Sequence, residues 1–96
     1  MITLPLTLRK NGFEYTQVRR GTRSCIYEQT ARQICPESPL IGYEVFEIRI
    51  RKAHQFRGEL IEAKEEFPYN EAFGYWAWAC STLETATRKF NELEKS

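Results

Sequence analysis

Phe73-Gly74-Tyr75-Trp76-Ala77-Trp78-Ala79-Cys80-Ser81-Thr82-Leu83-Glu84 is the stretch that decides the fold. Residues 73–80 alternate as a strand does, and both tryptophans of the chain lie in it, two positions apart. Trp76, Trp78 and Cys80 fall on one strand face; Phe73, Tyr75, Ala77 and Ala79 fall on the other. Ser81 fits a helix N-cap, with Glu84 three residues later completing a capping box. Beyond it, Leu83, Ala86, Thr87, Phe90 and Leu93 recur at helical spacing and form a mostly apolar stripe. The expectation is a strand that leads directly into a C-terminal helix, with the tryptophan face against the stripe. A stacking platform for bases is the functional reading of the same tryptophans. A chain of 96 residues has few other large apolar groups to build a core from, so burial is the stronger reading.

Upstream, Gly42 opens the clearest strand, Tyr43 to Lys52. Phe46, Ile48 and Ile50 point one way along it; Glu47, Arg49 and Arg51 point the other. Residues 13–29 read as a β-hairpin turning at Gly21-Thr22. Pro36 and Pro39 make residues 30–41 a connection. Residues 5–11 read as one helical turn, started by Pro5 and ended by Gly12. Gly58 breaks the next segment, residues 60–66 have weak helical character, and residues 67–71 read as an ordered loop. The fold class is therefore α+β in a single domain, residues 1–96: an antiparallel sheet of three to four strands with a C-terminal helix packed on one face.

Hydrophobic residues make up 42% and charged residues 28%, a balance that belongs to a globular chain and excludes a disordered one. All thirteen acids are Glu, which removes a common ligand for hard cations. Cys25, Cys35 and Cys80 are widely spaced and odd in number, and His54 is the sole histidine. That pattern argues against a zinc set and a disulfide framework, and points to free thiols in a reducing cytosol. Residues 1–8 are apolar but broken by Pro5 and lack a basic start, so they do not read as a signal peptide. No apolar run approaches the ~20 residues of a membrane span. The expectation is a cytoplasmic protein without metal or cofactor.

Net charge is +1, yet residues 1–57 carry +5 and residues 58–96 carry −4. Arg19, Arg20 and Arg23 flank the expected hairpin tip, and Arg49 and Arg51 share a face of the central strand with Glu47. These six are the candidate binding residues. A basic face of this kind suits phosphate contact. Glu14, Glu28, Glu44 and Glu47 on the same strands favour a mixed, solvated face instead. His54 with Glu62, Glu65 and Glu66 raises acid–base chemistry, but nothing fixes their geometry. No phosphate-cradling loop, nucleophile elbow or local Cys/His pair occurs.

Asn11-Gly12-Phe13-x-Tyr15, Ile26-Tyr27, Gly42-Tyr43-Glu44-Val45, Phe67-Pro68-x-Asn70-Glu71 and Phe90-Asn91-Glu92-Leu93 together resemble small uncharacterised proteins encoded by phages and other mobile elements of bacteria. The resemblance implies a bacterial or phage setting and carries no activity. A double-stranded-RNA-binding fold shares the strand–helix order, but this chain lacks a full first helix and the lysine cluster that opens the last one. The expected function is a small non-enzymatic binding or accessory module. Its partner is another protein or a second copy, with nucleic-acid binding as the alternative.

Overall fold

The computed structural model describes all residues 1–96. Its sheet is antiparallel and has five strands, one more than the upper end of the expected range. They are β1 (Thr7–Lys10), β2 (Phe13–Arg20), β3 (Ser24–Thr30), β4 (Leu40–Glu47) and, after a long excursion, β9 (Ala77–Cys80), in the spatial order β1-β2-β3-β4-β9. The helix α1 (Leu83–Glu94) crosses one face and packs on β3, β4 and β9. The fold class read from the sequence is the one observed.

The additional strand is β1, where a helical turn was expected. Asn11 and Gly12 both have positive φ, 55° and 83°, and turn β1 tightly into β2. Asn-Gly supplies the left-handed backbone that a two-residue hairpin turn needs, and this local preference overrides the helix-start signal of Pro5. The expected hairpin of residues 13–29 forms, with a bulge at Val18 between Gln17 and Arg19. The bulge sends Arg19 to the helix side, opposite Ile26, and Arg20 to the other side, opposite Cys25.

Two cores lie on the two faces. Beneath α1, Ile26 and Val45 meet Ala86, Phe90 and Leu93, with Trp78 and Cys80 packed at the edge. Leu83 stays exposed, so the apolar stripe starts at Ala86. The N-cap is Thr82 rather than Ser81: its hydroxyl accepts from the Thr85 N–H at 3.2 Å. On the opposite face, Tyr27 stacks on Phe46 at 5.5 Å, and Phe67 sets an edge against Tyr15, Tyr27 and Phe46.

Trp76 belongs to this second core, not to the helix side. The expected strand over residues 73–80 contracts to Ala77–Cys80 because a 3-10 turn, Asn70–Ala72, and a tight turn at Gly74 precede it. Trp76 lies in that turn, so strand alternation no longer sets its side. It packs edge-on to Phe46 and Tyr69, at 6.3 and 5.8 Å. One tryptophan therefore serves each core.

The expected strand Tyr43–Lys52 ends at Glu47, and the chain leaves the sheet. Four short strands follow, β5 (Ile50–Arg51), β6 (His54–Phe56), β7 (Glu59–Ile61) and β8 (Lys64–Glu65), and the last two stand where a weak helix was expected at residues 60–66. Ile50 faces Glu65, Arg51 faces Lys64, His54 faces Ile61, Gln55 faces Leu60 and Phe56 faces Glu59. One register runs through both ladders, so residues 49–66 form a single hairpin, interrupted near Lys52-Ala53 and Glu62-Ala63. Its tip, Arg57-Gly58, has φ of 52° and 80°. The radius of gyration is 14.5 Å, against roughly 12.5 Å for a compact chain of this length; the excess reflects this projecting arm.

Candidate functional site

The six residues singled out in the sequence do not form one surface. Arg20 donates to both carboxylate oxygens of Glu65, at 2.7 and 2.6 Å. The Glu65 side chain is 4% exposed and also accepts from the Leu4 N–H. The Arg20 bond pulls the Glu65 carboxyl below its ordinary range, and the same bond raises Arg20. Arg20 is thus the bolt that fixes the root of the arm to β2 and is not free to hold a ligand. Arg19 lies on the other face, its guanidinium 4.5 Å from the Phe90 ring centre. Arg49 pairs with Glu47 at 2.9 Å and covers the Trp76 ring at 5.2 Å. Arg23 lines a shallow cleft with Glu47 and Arg49. Arg51 alone of the arginine candidates stands at the arm's root facing a cationic neighbour across the strand, Lys64.

The hairpin tip is held by a group the sequence did not reveal as special. Glu94, at the end of α1, accepts from the Thr22 and Arg23 N–H groups and from the Thr22 and Ser24 hydroxyls, at 2.6–3.0 Å. These donors, with the Ser24 hydroxyl foremost, hold its carboxyl down to about 2. The clamp ties the helix C-terminus to the β2–β3 turn and takes up the backbone donors that a hairpin-tip anion site would use.

The arm is the feature that remains unexplained by folding. All three residues of β6 and two of the three in β7 are exposed, and the two strands pack on each other. Phe56 is 58% and Leu60 71% exposed. The edges of the arm differ. Residues 49–57 carry Arg49, Arg51, Lys52 and Arg57, whereas residues 59–66 carry Glu59, Glu62, Glu65 and Glu66 beside one Lys64. At the base of the acidic edge the N-terminal segment is already hydrogen-bonded: Ile2 N–H donates to Ala63 O, and Glu65 N–H donates to Ile2 O, both at 2.9 Å. The basic edge has no strand beside it.

Glu44 is a buried carboxyl on the same sheet face as Tyr27, with Lys10 the compensating charge. Burial pushes it up to about 6, and burial together with Glu44 pushes the Tyr15 hydroxyl up to about 12. Because the folded-state value lies above the ordinary 4.5, the stability tied to the neutral form is complete below that value and is lost as pH rises through about 6. Glu44→Gln is therefore expected to raise stability by on the order of 1 kcal/mol at about pH 7 and to leave it unchanged at about pH 4. Urea midpoints at the two pH values check this; an equal effect at both would contradict the assignment.

Burial raises the Cys25 thiol to about 11 and also raises Cys80, while Cys35 is exposed. No three His, Cys or Glu side chains converge as a metal site would require. No helix is long and apolar enough to cross a membrane. No protein-family profile matches the chain, and neither a curated protein nor a solved structure is significantly similar to it.

Proposed function

We propose that this protein is a non-enzymatic binding module whose docking element is the arm of residues 49–66, and that its partner is a protein offering an extended, acidic segment. The carrying observation is the exposed outer half of the arm, with Phe56 and Leu60 in solvent. A two-stranded hairpin is marginally stable by itself, and an unpaired edge is a template for a further strand. Main-chain bonds from an added strand would supply affinity, and side chains on that strand the selectivity.

Charge selects the class of partner. An acidic strand laid on the basic edge meets Lys52 and Arg57, which are unpaired with any carboxylate. A second copy laid on that edge by two-fold symmetry would set cations against cations, so homotypic pairing of the arms is disfavoured. The nucleic-acid reading loses support from the dispersal of its arginines: Arg19 and Arg20 lie on opposite faces, and Glu65 and Glu47 engage Arg20 and Arg49. The arm as a whole carries a nearly balanced charge, which gives little of the phosphate-driven affinity that such binding rests on.

The direct test is titration with a short peptide of alternating Glu and Val, followed by amide shifts. Saturable changes confined to residues 51–57, weakened by Lys52→Glu with Arg57→Glu, are expected. Changes centred on β1 or β9, or none, would refute the reading.

A further inference from the structure

The root of the arm holds a second, separate feature that folding does not account for. Arg51 and Lys64 are directly opposite one another on β5 and β8. Directly opposed like charges destabilise a strand pair. Neither residue has a carboxylate within ion-pair distance, and neither has Lys10, whose ammonium reaches the same place from β1. Lys10, Arg51 and Lys64 line one cleft of about 270 Å³ with Glu66, Phe67 and Tyr69. The Lys10 ammonium is held in position by the Pro68 carbonyl at 2.7 Å and lies 5.5 Å from the Phe67 ring centre. Three cations face one carboxylate in the lining, and Glu44, which Lys10 compensates, adds a second nearby, so the cleft keeps a net positive charge. The Phe67 and Tyr69 rings form the rest of its wall.

We propose that this cleft binds a phosphate monoester. The three cations hold the phosphate oxygens, and Tyr69, about half exposed, flanks the group to which the phosphate is attached. Arg51 supplies a fork of donors that matches phosphate geometry, and the two lysines act as point charges. Bound phosphate also removes the Arg51–Lys64 repulsion, so occupancy stiffens the arm's root. Glu66 is the opposing group and weakens the site as built. The cleft shares Arg51 and Lys64 with the arm, but Lys10 and Tyr69 lie outside it, so shifts at those two distinguish phosphate binding from strand docking.

Nuclear magnetic resonance titration of the full chain at low salt tests it, with inorganic phosphate, phosphoserine and adenosine 5′-monophosphate as separate probes. Saturable shifts at Lys10, Arg51, Lys64 and Tyr69 are expected with all three. Tighter binding of the nucleotide than of phosphoserine would assign Tyr69 to a ring, and the reverse would assign the site to a phosphorylated side chain; either supports a monoester site. Lys10→Gln should weaken binding about tenfold, the loss of one charge-assisted bond, while Arg88→Gln on α1, across the sheet from the cleft, should leave it nearly unchanged. Glu66→Gln should tighten it. Linear, non-saturating shifts scattered over surface lysines and arginines, or saturable binding indifferent to Lys10→Gln and Arg51→Gln, would overturn the proposal.

Discussion

Replacing Phe46 by alanine should cost about 3–5 kcal/mol, the range for large aromatic side chains deleted from a core. Phe46 is fully buried and touches three other rings: it stacks on Tyr27, receives the edge of Phe67, and lies edge-on to Trp76. None of these can close the gap alone, because Tyr27 is tethered through its hydroxyl to Gln17 and the Pro5 carbonyl. A domain of this size has roughly 5–15 kcal/mol in total, so the variant should lie near the edge of folding. Urea denaturation should show a large drop in midpoint, with red-shifted emission from Trp76. A loss below about 1 kcal/mol would mean that the aromatic cluster is loosely packed.

Glu65→Ala should cost about 3 kcal/mol, the lower end of the range for breaking a buried ion pair from one side. The lower end applies because the Arg20 side chain is 35% exposed and can recover some hydration. The loss has two parts: an Arg20 guanidinium without its bidentate partner, and a Leu4 N–H without its acceptor. Replacing both members, Arg20→Met with Glu65→Leu, should recover the part due to the unpaired guanidinium, since apolar replacements remove its desolvation cost along with the attraction, but not the part due to the Leu4 N–H, which still lacks an acceptor. Denaturation of the two variants checks the prediction. If the double variant is as unstable as Glu65→Ala, the pair contributes something that packing cannot replace. Glu65 also carries a pH signature: its carboxyl lies below the ordinary range, so its contribution is present above that range and is lost as pH falls through the folded-state value.

The sheet-plus-helix architecture was legible because its signals are periodic and strong. Residues 13–20 and 24–30 alternate around Gly21, and Ala86, Phe90 and Leu93 repeat at helical spacing ahead of the chain's end. Asn11-Gly12 was equally legible as a hairpin turn, but Pro5 suggested a competing helix start. Trp76 could not be placed from alternation, because the turn before β9 resets which side it faces. The arm was hidden for a different reason. Its strands are two or three residues long, interrupted, and charged on both sides, so neither a period of two nor a helical period emerges.

The candidate site was only partly legible. The sequence pointed to the basic residues, and Arg51 remains in a cleft that nothing in the fold requires. It could not show that Glu65 would engage Arg20, because 45 positions separate them. Nor could it show that a bulge at Val18 would turn Arg19, rather than Arg20, to the helix side.

The central claim is that the arm is built for docking and not for holding the body together. The most direct measurement is amide hydrogen exchange on the full chain, with and without the alternating Glu-Val peptide. Free protein should exchange quickly across His54–Ile61 and slowly in β3 and β4; with peptide present, protection should appear along residues 51–57 and leave β1 and β9 unchanged. An arm already as protected as β3 in the free protein, or one that the peptide leaves unprotected at saturating concentration, would contradict the account.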